Sequence, residues 1–474
     1  MKKTLHKTLC CLLVLTAALG LSAQTRVVTV YTTGTEGDLA NLYAGGTFWG
    51  ISPNGEYATG NAEGYAGTSF LWNRTTGEFT QITSEHGEEC YAYDVSNDGV
   101  VVGCFAHDNN GEVKEGTEPY IVPGYWKDGV WTALEIPFEI QRTDMNGYAR
   151  AISGDGRTIT GYVYDTYDQH DFNYATGKWS ETTRKVRKLR PAIWIDGKLQ
   201  PYENLPFGET VGQGMVANYM SDDAKILGGF AEHDSGSRSP AIWVNGEMTR
   251  IYGKQDIDIN KDLYFYAGYV YSISHEGKYA AGQWCPQGDD GYTKTYGFVY
   301  DIEKGTTEEI DDWAACTSIV DDGTVFGYTG YLGQALIRKG NFNGLLSDYI
   351  AQITGAAAPK DLPSTIICNS QDGNVFCGYY VHNSSMGPLM VPSLVVIGDI
   401  PDGINNVEGR RDITIKGDMV YAPEAKELAV YDASGRLISS GKGDALSLGG
   451  AKGVVVVKAS FGKSGNVASQ FIVK

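Results

Sequence analysis

A short motif recurs seven times between residues 49 and 378 and limits the folds open to this chain. Each copy has an apolar or aromatic lead-in, a Ser-x-Asp-Gly turn or close variant, a short β run and a second glycine. Asn-Gly or Asp-Gly between alternating apolar residues predicts a hairpin, because glycine accepts positive φ without a Cβ clash. The copies are WGISPNGEYATG (49–60), YDVSNDGVVVG (93–103), RAISGDGRTITG (150–161), NYMSDDAKILGG (218–229), YSISHEGKYAAG (271–282), TSIVDDGTVFG (317–327) and ICNSQDGNVFCG (367–378).

Most copies are followed by a second hairpin whose incoming strand ends in an aromatic pair, as in AIWIDGKLQPY (192–202) and AIWVNGEMTRIY (241–252). Each unit therefore has four antiparallel strands, here called A, B, C and D in chain order. Four-stranded units repeated about seven times predict an all-β fold and a seven-bladed β-propeller. The alternative, a pair of β-sandwiches, does not repeat one hairpin motif seven times.

The two ends of the repeat array predict how the ring closes. The last copy has a C strand at 391–397 but no D strand after it, and an extra strand at 26–31 precedes the first copy. We expect that N-terminal strand to complete the last blade and so remove the exposed edges of an open array. In the sixth copy, residues 342–355 look more like a short helix than a D strand.

Charge separates the repeat body from the C-terminus. The chain has a net charge of −19, and residues 404–474 contain ten Lys or Arg against seven Asp or Glu. Allowing also for three lysines before residue 24, residues 24–403 carry −25. So acidic a body repels phosphate backbones, which argues against a nucleic-acid partner. The change in charge predicts a domain boundary near Gly403.

The alternation of turn and strand motifs resembles the HAF-type extracellular repeat, over about residues 49–397. The matching residues are Ile152–Gly156 with Gly161, Ala192–Trp194, and Ile273–Gly277 with Gly282. The resemblance implies an extracellular propeller-like module. It implies no reaction and no catalytic residue.

The first 23 residues have the pattern of a cleavable secretory signal. Lys2, Lys3 and Lys7 precede an apolar run over 9–21, and small residues precede Gln24. No later segment has the roughly 18 apolar residues that a membrane helix needs. We therefore predict domains at 1–23 (signal), 24–403 (propeller) and 404–474, and a protein that is exported and not integral to a membrane.

Residues 404–474 contain short β runs separated by Gly-rich turns, which predicts a small Ig-like β-sandwich. This segment resembles the type A C-terminal sorting domain of the type IX secretion system of Bacteroidota. It departs from that pattern at Val455, where the family usually has Tyr. The resemblance implies contact with that secretion machinery, removal of the domain, and release or attachment at the outer-membrane surface. The matching residues are Tyr431, Asp432, Ser434, Gly435, Arg436, Leu437, Lys452, Gly453, Lys458 and Lys474.

The long B–C loops predict a recognition face. In a propeller these loops lie opposite the tight A–B and C–D turns, and long loops on a rigid scaffold often carry binding residues. Aromatic rings there can stack on sugars or peptide side chains, although long loops rich in tyrosine can also be without function. The candidate ligand-binding residues are Tyr164, Tyr167, Tyr174, Trp179, His107, His170, His233 and Trp284.

Catalytic and metal-binding patterns are weak. No cofactor is indicated, and the histidines have no zinc-ligand spacing. Oxygen donors alternate at Asp256, Asp258, Asn260 and Asp262, as in a calcium loop, but the sixth-position glycine and the twelfth-position acid are missing. A strand with one wet face explains the same pattern, so calcium is only a candidate ion.

Two cysteine pairs flank A–B turns, Cys90 with Cys104 and Cys368 with Cys377. An exported chain permits disulfides, so each pair is a disulfide candidate, and buried free thiols are the alternative. Taken together, the sequence predicts a secreted or surface-attached binding protein for a glycan or a protein. The alternative function is a propeller hydrolase or lyase that acts on extracellular polysaccharide.

Overall fold

The N-terminal strand β1 (Arg26–Thr32) joins the last blade of the repeat array. In the computed structural model, β26 (Thr365–Asn369), β27 (Val375–Ser384) and β28 (Gly387–Asp399) form one sheet with β1 in the order β1-β28-β27-β26. The predicted closing strand is therefore confirmed. The structure describes residues 26–32, 45–63, 68–74, 76, 79–84, 90–107, 120–136, 146–173, 176, 178–200, 215–232, 238–252, 267–285, 295–310, 312–330, 334–384, 387–399, 414–416, 418–423, 425–432, 437–448, 454–461 and 466–473.

Six further blades precede this one, each with the chain-order hairpin topology A-B-C-D, which makes a seven-bladed β-propeller. Blade 1 is β2 (Gly45–Ile51), β3 (Tyr57–Glu63), β4 (Thr68–Asn73) and β5 (Phe79–Ile82); blade 2 is β6 (Cys90–Val95), β7 (Val101–His107), β8 (Tyr120–Lys127) and β9 (Val130–Ala133); blade 3 is β10 (Gly147–Ile152), β11 (Thr158–Asn173), β12 (Lys178–Ile195) and β13 (Lys198–Leu199); blade 4 is β14 (Met215–Met220), β15 (Ile226–Glu232), β16 (Arg238–Val244) and β17 (Glu247–Arg250); blade 5 is β18 (Ala267–Ile273), β19 (Tyr279–Cys285), β20 (Tyr296–Asp301) and β21 (Thr306–Ile310); blade 6 is β22 (Ala315–Ile319), β23 (Val325–Tyr328), β24 (Ala335–Lys339) and β25 (Phe342–Leu345).

The prediction of a short helix rather than a D strand over residues 342–355 is right only for the second part of that segment. A four-residue D strand, β25, is present, and the helix α1 (Leu346–Thr354) follows it directly. Over the described ranges, no helix is long and apolar enough to cross a membrane.

The A–B turns have the side-chain hydrogen bonds and the positive φ expected of a Ser-x-Asp-Gly turn. In blade 3 the Ser153 hydroxyl donates to Asp155 Oδ1 at 2.6 Å and accepts the Thr158 N–H at 2.9 Å. Gly156 adopts φ +76°, which glycine reaches without strain. Neighbouring turns are joined through their backbones: the Asn97 N–H donates to the Gly154 carbonyl at 3.0 Å. The Gln371 N–H donates to the Pro53 carbonyl at 2.8 Å, so blade 7 is bonded to blade 1 and the ring is closed.

The hydrophobic core lies between adjacent blades. Trp194, the aromatic end of the Ala-Ile-Trp motif, is fully buried and packs with Val100 and Val102 of blade 2. Its indole N–H donates to the Glu135 carbonyl at 2.6 Å. Trp72 and Trp243 are buried to the same degree in their own blades. The C-strand aromatic therefore packs one blade against the previous one.

The chain divides into two compact units, and the second contains Val396–Lys474. Within the described part of residues 414–473, seven strands form two antiparallel sheets, in the orders β29-β30-β33 and β32-β31-β34-β35. One core of Val420, Leu428, Val430, Leu448 and Val457 unites both sheets, as in a sandwich. The strands are β29 (Thr414–Lys416), β30 (Met419–Tyr421), β31 (Glu427–Asp432), β32 (Leu437–Lys442), β33 (Ala445–Ser447), β34 (Val454–Phe461) and β35 (Asn466–Val473).

Candidate functional site

Every A strand of the propeller carries a β-bulge at the same place. The register against the B strand shifts by one residue just before the end of each A strand, so one residue per blade is unpaired. That residue lies three positions before the turn serine, or before Val320 in blade 6. The seven bulge residues are Trp49, Tyr93, Arg150, Asn218, Tyr271, Thr317 and Ile367.

The second glycine of the motif lies opposite each bulge. Gly103 pairs with Ala92, and a Cβ on Gly103 would lie 1.7 Å from the Tyr91 carbonyl oxygen. A Cβ on Gly229 would lie at the same distance from the Val216 carbonyl oxygen. The bulge thus brings the A-strand backbone so close to the B strand that only glycine fits. In the other five blades, the added Cβ would lie 1.9 to 2.2 Å from a backbone carbonyl oxygen of the A strand. The glycines concerned are Gly60, Gly161, Gly282, Gly327 and Gly378.

The bulges surround a cavity of about 90 Å³, to which all seven A strands contribute. Most of the side chains in its wall are polar or aromatic. They come from the bulge residue, from the two residues that follow it, and from the residue after the turn serine. The polar and charged members are Tyr93, Asp94, Arg150, Asn218, Tyr219, Asp222, Tyr271, Ser272, His275, Ser318, Cys368 and Asn369.

Asp94 is a half-buried acid in this wall. Its Oδ1 accepts the Val95 N–H at 2.9 Å, and its Oδ2 accepts the Ile152 N–H of the next blade at 3.0 Å. Burial raises the pKa of Asp94 to about 7, although both hydrogen bonds and the charge of His275 favour the ionised form. A Cβ on Gly50 would lie 2.5 Å from the Asp94 Cα, so the wall is tightly packed here.

His275 and Asp222 form a hydrogen-bonded pair at the A–B turn end of the cavity. His275 Nδ1 lies 2.8 Å from Asp222 Oδ1, and His275 Nε2 lies 3.0 Å from the Asn369 carbonyl oxygen. Both partners accept hydrogen bonds, so both ring nitrogens carry a proton. Burial opposes the charge, but the hydrogen bond and the charge of Asp222 outweigh it and raise the pKa of His275. The imidazolium ties blade 5 to blades 4 and 7.

The predicted B–C loop of blade 3 is an antiparallel ribbon. Strands β11 and β12 stay paired from Thr158 with Ile195 to Asn173 with Lys178. The candidates Tyr167 and His170 lie on β11, and Trp179 lies on β12. Tyr164 lies at the base of the ribbon, half-buried, with its ring 6.3 Å from that of Tyr162.

The other candidates of that face are dispersed. His107 ends β7, half-buried, with its ring 5.4 Å from Phe105. Trp284 belongs to β19 rather than to a loop, and it is 1% exposed in the core of blade 5, so its assignment to the binding face is wrong. Tyr174 and His233 lie outside the described residues.

Several other predicted sites fall partly or wholly outside the described ranges. This holds for Asp256, Asp258, Asn260 and Asp262, so the calcium loop stays a prediction. Within the described part of the chain, no group of three His, Cys, Asp or Glu side chains could hold a metal ion.

Of the sorting-motif residues, Tyr431 and Asp432 end β31, Leu437 begins β32, and Lys458 lies in β34. The other six sorting-motif residues lie outside the described residues. They are Ser434, Gly435, Arg436, Lys452, Gly453 and Lys474.

All six cysteines after residue 24 are free thiols in the structure, which is the alternative left open above. Cys90 pairs with Phe105 and Cys104 pairs with Tyr91, so these two cysteines are offset by one residue. Cys368 and Cys377 are directly opposite, and their sulfur atoms lie 3.2 Å apart. Only the second pair has the register of a cross-strand disulfide.

Treating the folded protein with diamide is expected to join Cys368 to Cys377, with two hydrogens passing from the thiols to diamide. Cys90 and Cys104 are expected to stay reduced, because their one-residue offset places the two side chains on opposite faces of the sheet. Alkylation followed by peptide mass mapping measures both pairs. A bond between Cys90 and Cys104, or two free thiols at Cys368 and Cys377, would contradict this expectation.

No known family profile matches the chain, and no curated protein matches it in sequence. Solved structures do match. They include an oligogalacturonate lyase from Vibrio parahaemolyticus (11% identity, 79% of this chain and 94% of that chain, TM-score 0.43). They also include TolB from Acinetobacter baumannii (12%, 75% and 79%, TM-score 0.30) and a gluconolactonase from Xanthomonas campestris (11%, 84% and 98%, TM-score 0.32). At these identities and scores the matches assign no activity or ligand.

Proposed function

We propose that this chain is an exported β-propeller that binds a glycan or protein ligand outside the cell. The pattern of residues 1–23 supports export to the periplasm. The resemblance of residues 404–474 to a type IX sorting domain supports onward transport and release or attachment at the outer-membrane surface. The central observation in favour of binding is the β11–β12 ribbon of blade 3.

The ribbon extends well beyond its blade. Strand β10 pairs with β11 only as far as Val163, and β13 pairs with β12 only at Trp194 and Ile195. From Asp165 to the tip, nine residues at about 3.3 Å each give an arm of about 30 Å. Among the described residues no third strand pairs with this arm. Its two edges therefore offer backbone donors and acceptors to a partner.

The charge of the arm differs from that of the acidic body. Residues 184–190 contain five Lys or Arg, in the string RKVRKLR. Lys188 lies directly opposite Asp165, and Lys185 lies opposite Asp168, so these four charges are matched across the ribbon. Arg184 and Arg187 lie opposite uncharged Gln169 and Thr166. Residues 165–188 contain five Lys or Arg against four Asp or Glu, and all five cations lie on the β12 side of the arm. That side favours an acidic ligand.

Replacing residues 165–188 with Asn-Gly tests the proposal in the full chain. Tyr164 and Leu189 are paired in the ribbon, and a two-residue Asn-Gly turn is suited to close that pair. We expect the shortened protein to keep its melting temperature and to lose at least tenfold in affinity on glycan and protein arrays. The matched control is the Tyr167→Ala, Trp179→Ala double variant, which keeps the arm and should lose binding in part. An unchanged binding profile after arm removal would refute this site.

The Asp222–His275 pair does not favour the alternative hydrolase or lyase function. A general base needs a nitrogen free to accept a proton, and both nitrogens of His275 are engaged as donors. The pair is better explained as a bridge between blades.

A further inference from the structure

Among the described residues that line the central cavity, Arg150 is a cation without an acidic partner. Arg150 is half-buried, and its guanidinium carbon lies 3.9 Å above the ring of Tyr93. Its charge also acts on Tyr219, where it opposes the rise in pKa that burial causes. Among the described residues no carboxylate lies within ion-pair distance of Arg150, whereas Arg157 and Arg338 each have one at 2.8 and 2.7 Å. Within the described ranges, most of its five N–H donors are therefore available to a ligand.

Neutral hydrogen-bonding groups line the same cavity as this cation. The pKa values of Tyr93, Tyr219 and Tyr271 are all raised, mainly by burial, so their hydroxyls stay protonated and can donate. The buried Oδ1 of Asn218 has no hydrogen-bond partner within the described part of the chain. A buried acceptor without a partner costs about 1–3 kcal/mol. A ligand that donates a hydrogen bond would remove that cost.

We propose that this cavity binds a small hydroxy-carboxylate, of the size of glycolate or lactate. The carboxylate lies on the Arg150 guanidinium, where tyrosine hydroxyls complete its hydrogen bonds, and the ligand hydroxyl donates to Asn218 Oδ1. Asp94 and Asp222 in the same wall disfavour a second negative charge, so a monoanion is preferred to a phosphate. A volume of about 90 Å³ is about three times the roughly 30 Å³ that one water molecule occupies in the liquid, which suits such an anion but not a whole sugar ring.

Calorimetric titration of the full-length protein with glycolate, acetate and phosphate tests the proposal. We expect glycolate to bind about tenfold more tightly than acetate, because acetate leaves Asn218 Oδ1 unpaired. Phosphate is expected to bind more weakly than either. Failure of both carboxylates to bind, or phosphate binding as tight as that of glycolate, would overturn the assignment.

Three variants locate the site. Arg150→Gln is expected to weaken glycolate binding by about tenfold to a hundredfold, since it removes a charged hydrogen-bond donor. Asn218→Ala should abolish the preference for glycolate over acetate and decides the question if the Arg150 variant does not fold. Thr317→Ser is the control, because Thr317 holds the equivalent bulge position but is not in the cavity wall. Equal affinities in all three variants would show that the ligand binds elsewhere.

Discussion

Replacing Gly327 with alanine is expected to lower the free energy of unfolding of the propeller by about 3 kcal/mol or more. Gly327 lies opposite the bulge of blade 6, paired with Cys316. A Cβ there would lie 2.1 Å from the Ala315 carbonyl oxygen and 2.6 Å from the Trp313 ring. The carbonyl belongs to the strand backbone and Trp313 is 4% exposed, so neither can move without disturbing the core.

Gly344→Ala is the matched control in the same blade. Gly344 lies in β25, its φ is outside the left-handed region, and a Cβ there would meet only the Phe342 ring at 3.5 Å. The alanine should be neutral or should stabilise by up to about 1 kcal/mol, because it restricts the unfolded chain. Urea unfolding of both variants gives the comparison. Equal midpoints for the two would show that the bulge tolerates a side chain.

The sequence motif predicted the fold correctly because its parts are local. The Ser-x-Asp-Gly turn satisfies its own hydrogen bonds, and Gly156 supplies the positive φ, so seven hairpins follow from short strings of residues. The role of Gly161 was not predictable in this way. Its constraint is the Tyr148 carbonyl on the facing strand, 2.0 Å from a Cβ, and that approach exists only once the bulge forms.

The candidate site could be predicted only in part for a related reason. Alternation along a strand assigns residues to two faces, but a bulge breaks the alternation and turns two successive residues toward the cavity. Arg150 and Asn218 then belong to one site although 68 positions separate them. Each bulge residue lies three positions before the turn serine, or before Val320 in blade 6, and this constant spacing could have identified these residues from the sequence. The ribbon of blade 3 was predicted as a loop, since polar residues 165–188 lack an apolar alternation.

Between pH 4 and pH 8 the wild-type protein is expected to lose up to about 4 kcal/mol of stability through Asp94. The folded-state pKa is about 7 against an ordinary value of 3.8. Between these values the unfolded chain has released the proton and the folded chain has kept it, so stability falls as pH rises. One unit of difference is worth about 1.4 kcal/mol. The side chain introduced in the Asp94→Asn variant cannot ionise. The variant loses one backbone hydrogen bond, which lowers its free energy of unfolding by the same amount at every pH.

His275 changes stability in the same direction over a higher range. Its pKa is raised above 6.5, so its contribution is complete below pH 6.5 and is lost as pH rises through the folded-state value. Urea midpoints of wild type, Asp94→Asn and His275→Gln, measured from pH 4 to pH 9, separate the two groups. The difference between wild type and Asp94→Asn should change from pH 4 to 7, and that for His275→Gln only above 6.5. Parallel curves for wild type and Asp94→Asn would mean that Asp94 is already ionised in the folded protein at low pH, and that water reaches the cavity wall.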